Sequence, residues 1–150
     1  METIRLCRED DLLGLLKLYS ELRPHDPLVD PDEASKCWEA LLSSPSAKLF
    51  VAEIDGELAS TCQLGIVPTI TNGARPFGII EHVVTAEQFK RRGLSQMVME
   101  KALEEAWESG CYKVMLLSGE SRAAAHKLYE KLGFKSGVER GFVIKPDSNE

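Results

Sequence analysis

The sequence predicts a single mixed α/β domain spanning residues 1–150. Apolar runs of strand character and segments of helical periodicity follow one another in the order β-α-α-β-β-β-α-β-α-β. One pair of strands is joined by Asp55-Gly56, a dipeptide that favours a two-residue hairpin turn. The composition, 43% hydrophobic over 150 residues, is enough for one sizeable core.

Thr3–Cys7 alternates, with Ile4 and Leu6 on one face, and reads as the first strand. Asp10 and Asp11 give a helix N-cap signal ahead of Leu12, Leu13, Leu15, Leu16, Leu18 and Tyr19, which recur at helical spacing. Arg23-Pro24-His25-Asp26-Pro27 ends that helix and opens a proline-rich loop to Pro31. Asp32–Leu42 reads as a second helix, and Lys48–Ile54 with Glu57–Val67 as the hairpin strands. After a loop from Pro68 to Pro76, Phe77–Thr85 is nearly continuous in apolar residues, as in a central strand covered on both faces. Glu81 and His82 interrupt it. Leu94–Ser109 is a helix closed by Gly110, Cys111–Leu117 a strand, and Ser121–Leu132 a helix stopped by Gly133. Phe134–Ile144 gives one or two last strands, broken by Gly137 and Gly141, before a polar tail. The sum is six to seven strands and four helices.

Several function classes are excluded. A net charge of −6 argues against a dedicated nucleic-acid binder. No apolar run is long enough for a membrane span, and the N-terminus lacks the pattern of a secretory leader, so a cytoplasmic protein without a membrane partner is expected. Cys7, Cys37, Cys62 and Cys111 form no C-x-x-C, and His25, His82 and His126 add no ligand spacing. Free thiols and no metal are expected.

The strongest functional signal is Lys90-Arg91-Arg92-Gly93-Leu94-Ser95, a basic turn between the Phe77–Thr85 strand and the helix that follows. The first N–H groups of a helix lack intrahelical partners and sit at the positive end of its dipole. Gly93 would let an anion approach the backbone closely. A local basic cluster in an acidic chain points to an anionic ligand. A solvated helix start is the plain alternative.

These residues carry a resemblance to the GNAT superfamily of N-acetyltransferases. Lys90-Arg91-Arg92-Gly93-Leu94-Ser95 is similar to the family's Q/R-x-x-G-x-G/A pyrophosphate loop. A strand–helix–strand of the right length surrounds it. Ala125-x-x-x-Tyr129-Glu130-Lys131-Leu132-Gly133-Phe134 is similar to the family's A-x-x-x-Y-x-x-x-G-F ending. The resemblance covers about the whole chain. It implies a central mixed, mostly antiparallel sheet flanked by helices, with acetyl-CoA as acetyl donor. Val83, Val84 and Thr85 would pair with the pantetheine at a bulged central strand, and Arg91 to Gln96 would hold the pyrophosphate on their N–H groups. Two positions depart from the pattern. Lys90 keeps a positive charge, and Ser95 is small, with a hydroxyl that could reach a phosphate oxygen. Arg122 stands where many members carry Asn, and could reach the cofactor phosphates.

Direct acyl transfer needs a neutral amine and a proton for the departing thiolate. Glu81 is the candidate base, since a carboxylate within an apolar strand is costly unless paired or raised in pKa. The family often places Glu at this strand position, acting directly or through water. Its alternative is a structural carboxylate or an exposed strand face. His82 points to the opposite face by simple alternation, unless a bulge intervenes, and reads as packing or partner-facing. Tyr129 is the candidate acid, because a phenol of unperturbed pKa about 10 stays protonated at neutral pH. Its alternative is a core aromatic beside Ala125, Leu128 and Leu132. His126 reads as surface.

In the family the acceptor pocket is built from two loops, here Arg23–Pro31 and Pro68–Pro76. They offer His25, Asp26 and Asp30, and Thr71, Asn72 and Arg75. Acidic groups suit a cationic amine, and Arg75 suits a carboxylate or phosphate. Ile80–Val84 also resembles glucosamine-6-phosphate N-acetyltransferases, which place an acidic residue at the His82 position. That mismatch weighs against an amino sugar. The leading expectation is an acetyl-CoA-dependent N-acetyltransferase of a small primary amine, as a homodimer by resemblance. Protein N-terminal or lysine acetylation would need an open peptide groove, and a non-catalytic CoA-binding module would turn Glu81 and Tyr129 away from the cofactor.

Overall fold

The computed structural model describes residues 1–146. One mixed sheet contains β1 (Glu2–Leu6), β2 (Ala47–Ile54), β3 (Glu57–Val67), β4 (Phe77–Thr85) and β5 (Val114–Met115), in the order β1-β2-β3-β4-β5. The first four strands are antiparallel neighbours, and β5 runs parallel to β4. The helices are α1 (Leu12–Leu22), α2 (Pro31–Ser43), α3 (Thr71–Ala74), α4 (Leu94–Glu108) and α5 (Ala123–Lys131). The chain divides into two compact units, Met1–Leu116, which holds the whole sheet, and Leu117–Glu150. No helix among the described residues is long and apolar enough to cross a membrane.

The hairpin of β2 and β3 sets the register at the middle of the sheet. Asp55 and Gly56 both take positive φ, 49° and 84°, the requirement of a type I′ turn, and bring Ile54 opposite Glu57. Alternation then sends the two faces of the sheet to different helices. Leu49 and Val51 pack with Leu15 of α1 and Trp38 of α2. Cys62 points the other way, its thiol donating to the Val98 carbonyl of α4 at 3.5 Å. Leu94, Val98, Met99, Ala102 and Ala106 form the buried stripe of α4. Each large aliphatic side chain so buried contributes about 1.5–3 kcal/mol.

The element count differs from the sequence expectation. Among the described residues there are five strands and five helices rather than six to seven and four. The added helix is one turn in the predicted 68–76 loop, with Asn72, Gly73 and Ala74 all at positive φ. Residues 134–144 form no strand. Gly137 takes φ of 76° and interrupts the run, and the Leu117 side chain fills the space a Cβ at Gly141 would need. Phe142, Val143 and Ile144 are left exposed. The rest of the polar tail, residues 147–150, lies outside the described residues.

Asp11 is no helix cap. Its backbone is helical and its side chain caps nothing in α1. A 3-10 turn at Glu9–Asp11 carries it back toward β1, where it takes two hydrogen bonds from the Arg5 guanidinium (2.7 and 3.0 Å) and one from the Arg8 N–H (2.6 Å). Arg5 also bonds Glu53 of β2 at 2.6 and 2.9 Å. Burial raises the pKa of the Asp11 carboxyl, but the bonds from Arg5 and Arg8 and their charges outweigh it and hold the group below its ordinary value. A depressed carboxyl pKa stabilises the fold above the unfolded value of about 3.9, and the contribution disappears as pH falls through the folded value. Asp11→Ala leaves the mostly buried Arg5 short of a partner. It is expected to cost about 3 kcal/mol in thermal unfolding at pH 7, and the gap between variant and parent should begin to narrow only below about pH 4, as pH falls toward the lowered folded value.

Candidate functional site

The site is built around one irregularity in β4. Thr61 faces Val84 and Gln63 faces Glu81, so a step of two residues on β3 matches a step of three on β4. The extra residue forms a bulge, and His82 absorbs it at φ of 54°. A non-glycine residue held there costs of the order of 1–3 kcal/mol, though histidine is among the residues that tolerate it. The His82 ring lies 5.6 Å from that of Tyr19 at 58°. Such pairs return about 0.5–1.5 kcal/mol. Tyr19 is largely buried, and burial pushes its hydroxyl pKa up.

The bulge breaks the alternation that would set Glu81 and His82 on opposite faces, and both are exposed. Glu81 is therefore not the buried carboxylate that the sequence led us to expect, and desolvation does not support its candidacy. Its place beside the bulge does. The second property of β4 is an open edge. β5 pairs with it only at Gly78 and Ile79. From Ile80 to Thr85, β3 covers one edge, and no strand among the described residues covers the other, leaving backbone groups for a ligand.

That edge leads into the basic turn. Lys90 pairs with Glu87 at 2.9 Å, and this contact holds the exposed Glu87 carboxyl below its usual pKa. The Arg92 guanidinium sits 5.4 Å over the Phe89 ring. Arg91 and Gly93 take φ of 69° and 74°. Gly93 is the N-cap of α4 and provides no side-chain cap, and no other group lies within 4 Å of where its Cβ would be. Here the backbone conformation, rather than crowding, requires glycine. Leu94 buries its side chain, while Ser95 and Gln96 are half-buried. The helix start is thus an uncapped set of N–H groups with clear space beyond.

Ser95 has a partner within the fold. Its Oγ is bonded to Thr85 Oγ1, which lies 2.8 Å from Ser60 Oγ. Ser60 donates to the Val84 carbonyl at 3.0 Å. With that proton committed, Ser60 must accept from Thr85, and Thr85 from Ser95. In that order the Ser95 proton points toward Thr85, and the chain of hydroxyls ties the start of α4 to the end of β4. Ser95→Ala should lower stability by about 1 kcal/mol in thermal unfolding, and Ser60→Ala by about 2 kcal/mol, because it removes two hydrogen bonds rather than one.

The acceptor-side candidates are held by their own loops. Asp26 takes Arg23 at 2.8 Å, and Asp30 caps α2 by accepting from the Asp32 and Glu33 N–H groups. His25 is exposed. Arg75 donates to the Asn72 carbonyl at 3.0 Å and lies 6.0 Å over the Tyr112 ring. Thr71 bonds Thr69.

Within Leu117–Glu150, the tyrosine motif has a local physical reading. At the end of α5 the Gly133 N–H donates to the Glu130 carbonyl and the Phe134 N–H to that of Tyr129, with Gly133 at φ of 103°. This is a Schellman cap. The hydrophobic contact that accompanies it is Tyr129 against Phe134, centroids 6.2 Å apart. The motif's tyrosine, glycine and phenylalanine are thus the inner contact, the left-handed residue and the outer contact of one cap, and Tyr129 is buried. Arg122 is the N-cap of α5, and its carbonyl accepts the His126 N–H. His126 Nε2 lies 2.9 Å from the Gly119 carbonyl.

Comparison with known proteins agrees with this architecture. A family model described as the acetyltransferase (GNAT) family matches residues 15–134. A glucosamine 6-phosphate N-acetyltransferase of Trypanosoma brucei brucei is 31% identical over 133 residues, covering 89% of this chain and 88% of that one. A solved structure from Agrobacterium tumefaciens str. C58, provisionally named an acetyltransferase, is 41% identical with a TM-score of 0.90, covering 95% of this chain and 99% of that one. The solved glucosamine-6-phosphate N-acetyltransferase of Arabidopsis thaliana shares the fold, with a TM-score of 0.86 at 24% identity over 98% of this chain and 99% of that one.

Proposed function

The chain belongs to the acetyltransferase (GNAT) family and is an acyltransferase, and from that premise we propose that it moves the acetyl group of acetyl-CoA directly to the primary amine of a small molecule. One observation carries the reading: the open edge of bulged β4 runs into an uncapped, basic helix N-terminus. An extended amide chain suits the first feature and a pyrophosphate the second. When bound, acetyl-CoA supplies a thioester carbonyl. Val83, Val84 and Thr85 would hold its pantetheine by backbone bonds. The N–H groups of Arg91 to Gln96 would hold the pyrophosphate, with charge from Arg91 and from Lys90 and Arg92 on the same turn. Arg122 is a further candidate for the phosphates.

Glu81 would take the proton of the acceptor ammonium at its carboxylate, directly or through a water. Its exposed place next to the bulge gives a soluble amine access. Tyr129 would give its phenolic proton to the departing sulfur. On the acceptor side we assign His25, Asp26 and Arg75. The Trypanosoma relative's name puts amino-sugar phosphates first among the amines to try, while His82, in place of the acidic residue of that class, favours a different acceptor within the same chemical range.

A panel of small amines with detection of released thiol tests the reading, and at least one primary amine should release CoA thiol in stoichiometric amount with acetylated product. Glu81→Gln should lower kcat about 100-fold, and Tyr129→Phe should slow turnover by a similar order. Both variants should keep a CoA dissociation constant within about threefold of the parent, since neither removes a phosphate contact. Unchanged turnover in either variant removes that residue from its role, and a protein whose Tm does not rise with CoA removes the donor assignment.

A further inference from the structure

We propose that Tyr19 is a positioning residue for the transfer reaction, its ring clamping His82 in the bulge of β4 and so fixing the direction of Glu81. The inference rests on the role given to Glu81 above. The strand pairing on either side of the bulge dictates that β4 must absorb one extra residue between Glu81 and Val84. Only His82 and Val83 stand there. Val83 is β-branched and poorly suited to a left-handed backbone, so the irregularity falls on His82, at φ of 54°. Pairing leaves undetermined where the imidazole goes, and with it the orientation of the peptide that joins His82 to Glu81. An exposed histidine with no neighbour would sample several bulge geometries, and the Glu81 carboxylate would move with each.

The Tyr19 ring supplies the missing constraint, 5.6 Å from the imidazole at 58°. Tyr19 is itself well anchored. It packs against the Leu15–Trp38–Leu49–Val51 cluster and against the Leu18–Val84–Ala86 cluster. Its carbonyl also accepts the Arg23 N–H at 2.8 Å, which closes α1. A partly buried side chain of α1 thus reaches the most irregular point of the strand that carries Glu81. Tyr19 touches no reacting atom in this scheme and acts through His82.

The test uses the full chain and four variants, Tyr19→Phe, Tyr19→Leu, His82→Asn and the double variant Tyr19→Leu/His82→Asn. Asparagine adopts the left-handed region readily and needs no ring to hold it there. Tyr19→Phe should retain kcat. Tyr19→Leu should lower kcat about 10- to 100-fold with the KM for acetyl-CoA nearly unchanged, and the double variant should recover most of that loss. In parallel, the HN–Hα coupling and Cα chemical shift of residue 82 should leave left-handed values in Tyr19→Leu and return to them in the double variant. A purely structural Tyr19 would give a loss that His82→Asn does not repair, and that result overturns the clamp. Unaltered backbone signals at residue 82 in Tyr19→Leu overturn it as well. If the parent releases no thiol with any amine, or Glu81→Gln keeps full activity, the functional reading fails by itself and the backbone signals alone decide the clamp. Should Tyr19→Leu not fold, Tyr19→Met replaces it under the same criteria.

Discussion

One extra residue in β4 governs the arrangement of the site. Without it, Glu81 and His82 would lie on opposite faces of a continuous strand, one of them buried under a helix. With it, both reach solvent, and beyond Ile79 no described strand pairs with that edge of β4. The backbone edge that is left bare continues to the turn at 90–93, and the Ser95–Thr85–Ser60 hydroxyl chain fixes that continuation. A single register shift thus brings Glu81 to the surface beside an unpaired backbone edge. The shift has a local cost of the order of 1–3 kcal/mol, which the Tyr19–His82 ring contact offsets in part.

Charge is distributed with the same economy. The strongest ionic contacts, Arg5 with Asp11 and Glu53, lie at the β1 end of the sheet and fix β1 to β2. In the basic turn each cation has a neighbour: Lys90 pairs with the exposed Glu87, whose carboxyl also feels the charge of Arg91, and Arg92 lies over an aromatic ring. Such contacts hold side chains in place at little energetic cost to a later ligand, because an exposed ion pair contributes only about 0–1 kcal/mol.

Much of this was legible in the residues. Asp55-Gly56, the apolar run at 77–85 and the segment 94–109 closed by Gly110 gave the hairpin, the strand that carries the bulge and the helix after it, because each rests on short-range geometry. Gly93 and Gly133 were read as special positions, and both take positive φ. What failed depended on partners outside the residue's own element. Asp11 looked like a cap because capping is judged from a few neighbouring residues, whereas its partner Arg5 belongs to a neighbouring strand. Phe134–Ile144 had the composition of strands, but a strand exists only where another offers an edge. Nothing in the sequence shows that the Ser95 hydroxyl, which could reach a phosphate oxygen, lies against Thr85. His82 was read as packing, and the bulge that would free it was an expectation from resemblance; the contact from Tyr19, 63 residues earlier by number (82 − 19), had no local signal at all.

The claim at the centre is that the bare edge of β4 and the start of α4 form one continuous binding surface for the acetyl donor. A titration of the isotope-labelled chain with CoA, followed by backbone amide NMR, tests it most directly. The account predicts that the largest shifts fall on Val83 to Thr85 and on Arg91 to Gln96, and that they move together with a single dissociation constant. Saturable shifts confined to other surfaces, or separate titration of those two segments, would contradict it.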